Sequence, residues 1–188
     1  MESLLTYISD IYSLNTQAQS ALGDALKAKE YLKGTYILKE GSTSRNLYFL
    51  ETGCIRGFYR LEDKEITHWF GFENDFVTSF HSFITQRPAV ENLQALEDSV
   101  LWGISYEALY KLYDEFPEIE RLGRMACEKY YIRLEERYIN SQFKTAAERY
   151  MQLLESNGEF LQRIPLGHIA SYLGISQETL SRIRSKKL

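Results

Sequence analysis

The chain has 188 residues, 44% hydrophobic and 26% charged, with 22 Lys+Arg against 26 Asp+Glu. That balance is ordinary for a water-soluble globular protein, and no apolar run approaches the ~20 residues that a membrane-spanning helix needs. Residues 1–140 hold 15 basic and 22 acidic side chains, net −7, whereas residues 141–188 hold seven and four, net +3. A basic C-terminal end on an acidic body suits a module that meets a polyanion. The N-terminus, MESLLTYISDIYSLN, has acids where a secretion signal carries basic residues, so the chain reads as cytoplasmic. Cys54 and Cys127 form no close-spaced pair and read as free thiols. His68, His81 and His168 lack ligand spacing, so neither a metal nor a cofactor is expected.

In chain order, residues 2–29 read as helical, with apolar residues recurring at three and four. Asn15 and Thr16 cap a second helix near Gln17. From Lys29 the pattern changes to short β-branched and aromatic runs at 36–39, 47–50, 55–61 and 66–70, separated by turn-prone stretches. Further strands are expected at 90–96 and 100–104. Strands at this spacing imply a small antiparallel sandwich or barrel.

Residues 106–113 read as a short helix, and Pro117 suits the first turn of a longer one over 118–141. That helix would be ~36 Å long at 1.5 Å per residue. Leu122, Met125, Ala126, Tyr130, Leu134, Tyr138 and Ile139 make a broad apolar stripe on it. A small barrel cannot cover such a length. The surplus face, over residues 118–140, is expected to pair with its copy in a second chain, the alternative being burial within one chain. Residues 145–156 form another amphipathic helix, which Asn157 and Gly158 are expected to end.

The stretch from His168 to Lys187, HIASYLGISQETLSRIRSKK, carries the sharpest signal. Ile169 and Leu173 share one helical face, and Leu180 and Ile183 share another. Gly174 permits the left-handed residue that ends a helix, and Ser176 is a good N-cap for the next. Ala170 is small where the second helix crosses the first. Arg182, Arg184, Lys186 and Lys187 follow, with no acid after Glu178. This is the pattern of a helix-turn-helix whose second helix enters the DNA major groove; the plainer alternative is a helical hairpin with a basic tail.

These features together resemble the cyclic-AMP receptor protein/FNR family of bacterial transcription factors. The resemblance rests on YLKGTYILKEGSTSRNLYFLETGCIRGFYR, Asn74–Phe76, ALEDSVLWGISYEALYKLYDEFPEI and LGHIASYLGISQETLSRI. The recognition-helix ending most resembles the Bacteroidetes-type branch. The implied fold class is α+β: an N-terminal antiparallel β-roll with flanking helices, a long dimerisation helix, and an all-α helix-turn-helix. Residues 1–140 would be the sensor, including the dimerisation helix at about 118–140, and 141–188 the DNA-binding domain. The chain stops at Leu188 within the recognition helix, so the family's β-hairpin wing is expected to be lacking.

The resemblance implies a homodimer on an inverted-repeat operator in double-stranded DNA, with RNA polymerase as a further partner and no membrane. Gln177, Glu178, Ser181 and Arg182 would face base edges, Glu178 holding the Arg182 guanidinium. The Glu-x-x-Ser-Arg arrangement is similar to that of the FNR branch and implies a TTGAT-like half-site. Thr179, Arg184, Lys186 and Lys187 would meet phosphates. The expected effector pocket comprises Phe70, Phe72, Thr78, Ser79, Phe80, Ala89, Val90, Leu134 and Glu135. Thr78-Ser79 stand where the family has its ribose-binding Gly-Glu, and Ala89-Val90 replace the Arg-Ser that clamps the cyclic phosphate. Leu134-Glu135 replace the Thr-Ser that meets the purine. A buried phosphate needs a cation and N–H donors, so cyclic AMP is expected not to bind, while a less charged effector remains open. Two other readings stand beside this one: an interaction module without DNA binding, and a cupin-like enzyme, which would need a metal cage that the isolated histidines do not supply.

Overall fold

The computed structural model describes residues 2–185, apart from the side chains of Glu2, Ser156, Asn157, Glu159 and Phe160. Two helices come first, α1 (Glu2–Ile11) and α2 (Thr16–Ala25), the second capped by the Asn15 side chain, which accepts from the Ala18 amide. The strands are β1 (Lys27–Tyr31), β2 (Tyr36–Leu38), β3 (Asn46–Thr52), β4 (Ile55–Leu61), β5 (Lys64–Gly71), β6 (Phe76–Val77), β7 (Asn92–Ala95) and β8 (Ser99–Ser105), with helix α3 (Phe80–Thr85) between β6 and β7. They form two four-stranded antiparallel sheets, ordered β1-β8-β3-β6 and β2-β7-β4-β5, which is a β-roll.

Side-chain alternation along these strands sorts the molecule into layers. Tyr48, Leu50, Ile55, Val77, Leu93 and Leu101 point between the sheets. Phe49 and Ile104 point the other way and pack under α1, α2, α4 (Tyr106–Glu115) and the start of α5 (Pro117–Phe143). On the far side of the second sheet, Cys54 and Leu96 share a core with α6 (Ala146–Leu161), α7 (Leu166–Leu173) and α8 (Gln177–Ser185). The Cys54 thiol, pushed up to about 12 by burial and the nearby Glu97 carboxylate, is a packing residue with little thiolate character.

Two expectations fail locally. Residues 27–31 are strand β1, where a helix was expected to run to residue 29. The backbone pairs antiparallel with β8, and Lys27, Lys29 and Glu30 stay exposed on the free edge. Asn157-Gly158 do not end α6, which continues to Leu161. Burial of Leu161 beside Tyr150 and Ile164 outweighs the ~1 kcal/mol cost of an internal glycine.

Candidate nucleic-acid interface and effector pocket

The turn between α7 and α8 forms as its residues dictate. Gly174 adopts φ +68°, and its amide closes the end of α7 on the Ala170 and Ser171 carbonyls. The Ser176 hydroxyl accepts from the Thr179 amide at 3.1 Å, capping α8. Ile169, Ala170, Leu173 and Leu180 are buried together, so the sequence and spacing of the helix pair set their crossing. With Leu180 facing inward, Gln177, Glu178, Ser181, Arg182 and Arg184 are all exposed, and Thr179 is half-buried. The Arg182 guanidinium donates to the Thr179 hydroxyl at 3.1 Å, rather than to Glu178 as expected. Glu178 turns back towards Ser176 at the helix start, where a carboxylate complements the helix dipole. Lys186 and Lys187 lie outside the described residues.

The helix-turn-helix does not hang free. β5 is an edge strand, and α7 covers it. Ser171 accepts from the Thr67 amide at 2.9 Å and donates to the Glu65 carbonyl at 2.9 Å. Beside it the Phe70 ring packs against Tyr172, tilted by 44°, with centroids 5.5 Å apart. Beneath α7 lies Arg56, fully buried over the Phe58 ring, donating to Thr67 Oγ1 and Glu65 Oε2 at 2.7 Å each. His168 faces this pair. Burial, then the Arg56 charge, push its imidazole below the ordinary value of 6.5, and Glu65 opposes them. A depressed histidine pKa means that the docked form binds fewer protons than the open one. Docking is therefore strongest above about pH 6.5 and weakens as pH falls through that value. Thermal unfolding between about pH 7.5 and 5.5 should show this loss, above the range where carboxylates titrate. His168→Gln should flatten it, and an unchanged pH dependence contradicts the assignment.

The nine residues expected to line an effector pocket do not converge. Phe70 and Phe72 point out of the roll, into the core shared with the helix-turn-helix. Thr78, Ser79 and Ala89 are buried, but Thr78 is occupied with Ser44 and the Asn46 carbonyl at 2.9 Å each. The Phe80 ring packs against Tyr130 of α5, tilted by 31°, with centroids 4.2 Å apart. Val90 is 60% exposed, and Leu134 and Glu135 face solvent.

The Trp69, Glu91 and His68 cluster was not read from the sequence. The Trp69 indole lies across Gly57, where any Cβ would overlap it, and donates to Glu91 at 3.1 Å. Glu91 is buried and pairs with His68 Nε2 at 2.6 Å, and His68 in turn stacks on Tyr59. Burial alone would raise the Glu91 carboxyl, but hydrogen bonds from His68, Ser79 and Trp69 hold it below the usual carboxylate range. Glu91 is thus a buried, satisfied carboxylate beside the Trp69 indole. A cleft of about 250 Å³ opens elsewhere, between Leu38, Ser44, Asn46 and Leu93, and none of the nine residues lines it. Among the described residues no cluster of His, Cys, Asp and Glu could hold a metal, and no helix is long and apolar enough to cross a membrane.

α5 leaves its second half uncovered. Ile119 and Leu122 are buried against α1 and α4, whereas Tyr131 is 62% exposed, Leu134 40%, Tyr138 66% and Phe143 83%. Cys127, Tyr131, Leu134 and Tyr138 follow at spacings of four, three and four, a two-heptad seam.

Residues 28–116 match the family model described as "Cyclic nucleotide-binding domain". Electron transport regulator A of Shewanella oneidensis is 25% identical over 192 residues, covering 92% of this chain and 73% of that protein. The fumarate and nitrate reduction regulatory protein of Vibrio cholerae is 28% identical over 188 residues, with the same coverage of 92% and 73%. FixK2 of Bradyrhizobium japonicum has the same fold, with a TM-score of 0.72 at 21% identity over 86% of this chain and 83% of that one. The chain thus carries a cyclic nucleotide-binding domain over residues 28–116 and is similar, over 92% of its length, to bacterial regulatory proteins of the FNR type.

Proposed function

We propose that this chain is a homodimeric, sequence-specific DNA-binding regulator whose roll does not take cyclic AMP. The observation that carries the reading is the exposure of Gln177, Glu178, Ser181, Arg182 and Arg184 on one capped helix whose opposite side, at Leu180, is buried. On a helix entering the major groove, N-terminal residues reach base edges and later basic residues reach phosphates. The work divides along the chain, with residues 1–140 for sensing and pairing and 141–188 for DNA. The exposed seam on α5 supplies the pairing, and two copies of α8 would meet an inverted repeat of TTGAT-like half-sites in the cytoplasm, where RNA polymerase is the further partner. A duplex carrying that repeat should bind the full chain roughly 10³-fold or more tightly than a scrambled duplex at physiological salt. Equal affinity for both overturns the reading.

The carboxylate of Glu91 supports the second half of the proposal. Titration calorimetry with cyclic AMP should give no binding heat up to about 1 mM ligand, a ceiling of ~4 kcal/mol. Glu91→Gln removes the charge but not the Trp69 indole, and should not restore binding. A micromolar dissociation constant for the unaltered chain contradicts the account.

A further inference from the structure

The turn between β5 and β6 contacts both α5 and the segment that leads into the helix-turn-helix. Its four residues are Phe72, Glu73, Asn74 and Asp75. Two backbone hydrogen bonds to one residue of β3 pin it: the Asn74 amide donates to the Leu50 carbonyl at 2.9 Å, and the Leu50 amide donates to the Asp75 carbonyl at 2.9 Å. The Asp75 carboxylate takes the Phe72 amide on one oxygen at 3.0 Å and Arg133 of α5 on the other at 2.8 Å. The Glu73 carboxylate takes the Gly53 amide at 3.0 Å and both terminal nitrogens of Arg163, at 2.7 and 3.1 Å. Arg163 lies just before α7 and also binds Glu97, at the turn before β8. Burial opposes the charge on Glu73, but Arg163 and the Gly53 amide hold its carboxyl below the usual range, so the clamp is ionic at neutral pH.

Two carboxylates, two residues apart on one rigid turn, therefore hold α5 on one side and the helix-turn-helix on the other. A side chain held by two hydrogen bonds on a pinned backbone has little freedom to follow one partner without losing the other. The aromatic chain Phe72, Phe70 and Tyr172, with centroids 6.5 and 5.5 Å apart, runs alongside the same path. We infer that the Glu73–Asp75 turn couples the position of α5 to the docking of the helix-turn-helix on the roll.

The Thr67 amide is the reporter, because it donates to Ser171 across the docked interface and is freed when α7 leaves. In hydrogen exchange on the full chain, Arg163→Met should speed exchange at Thr67 directly. Arg133→Met, which cuts the Asp75 ion pair and leaves Arg163 in place, should also speed it, by roughly threefold to tenfold, the range expected for one partly exposed ion pair. The double variant should exceed the faster single variant by less than the product of the two effects, since the second cut falls on a link already broken. Asp75→Asn keeps an acceptor for the Phe72 amide but loses the charge, and should act in the same direction as Arg133→Met. It decides the question if Arg133→Met disturbs the roll, which protection at Leu101 in the core reports. Wild-type exchange at Thr67 in Arg133→Met and Asp75→Asn, with acceleration confined to Arg163→Met, overturns the coupling.

Discussion

Arg182→Ala should weaken binding to the inverted repeat more than any other single truncation on α8. A guanidinium that donates twice to guanine is worth ~1–3 kcal/mol per half-site. Two half-sites make that ~2–6 kcal/mol, between about 30-fold and about 10⁴-fold in affinity. The variant should also stop discriminating at one G·C pair in each half-site. Thr179→Val should do less and in the same direction, because it removes the hydroxyl that holds Arg182 and leaves the guanidinium in place. Arg184→Ala, by contrast, should weaken all duplexes alike and reduce the salt slope by about one unit. Quantitative binding to a set of single-base operator variants separates the three. If Arg182→Ala keeps the wild-type sequence preference, another residue reads that base pair.

The second large effect is on assembly. Leu134→Glu places two carboxylates across the proposed symmetric seam, where Leu134 lies between Tyr131 and Tyr138 on the exposed side of α5. Burying unpaired charges costs on the order of 3–5 kcal/mol, enough to move a micromolar dimer to monomer. Sedimentation at about 10 µM should show one species of twice the chain mass for the wild type and a single chain for the variant. Cys127 offers an independent check. It is exposed at a seam position, so a short bis-maleimide should link two chains through it in the wild type and not in Leu134→Glu. A monomeric wild type, or a variant that still pairs, removes α5 from the interface. DNA affinity should fall with the dimer, because each chain brings one recognition helix.

The helix-turn-helix was legible in the sequence because few residue types satisfy its geometry. Gly174 supplies the left-handed residue, Ala170 the close crossing and Ser176 the cap, and each stands where the turn requires it. The exposed residues of α8 follow from Leu180 by helical period alone. The pairs they form do not, since Arg182 can reach either Thr179 or Glu178 and only the packed structure chooses. Strand β1 was illegible for a related reason. Lys27 to Tyr31 suit a helix locally, and pairing with β8 decides otherwise.

The pocket was the least legible part. Residues 66–70, Ile-Thr-His-Trp-Phe, are bulky without alternation, so the sequence does not say which side chains enter the roll. The register puts Trp69 inside and Phe70 outside. Glu91 stands one residue beyond the positions compared with the phosphate clamp, and its burial depends on His68, 23 residues away. The cover that α7 gives to β5 rests on Ser171 and a backbone amide 104 residues earlier. No local pattern encodes contacts of that span.

The central claim is sequence-specific DNA binding by a dimer. Selection of bound duplexes from a random-sequence pool by the purified full chain tests it most directly, because it presupposes no operator. The account predicts enrichment of a two-fold symmetric site, with half-sites about 10 base pairs apart centre to centre and a G·C pair in each that Arg182→Ala no longer selects. A recovered pool indistinguishable from the input, or enrichment of a single asymmetric half-site, contradicts it.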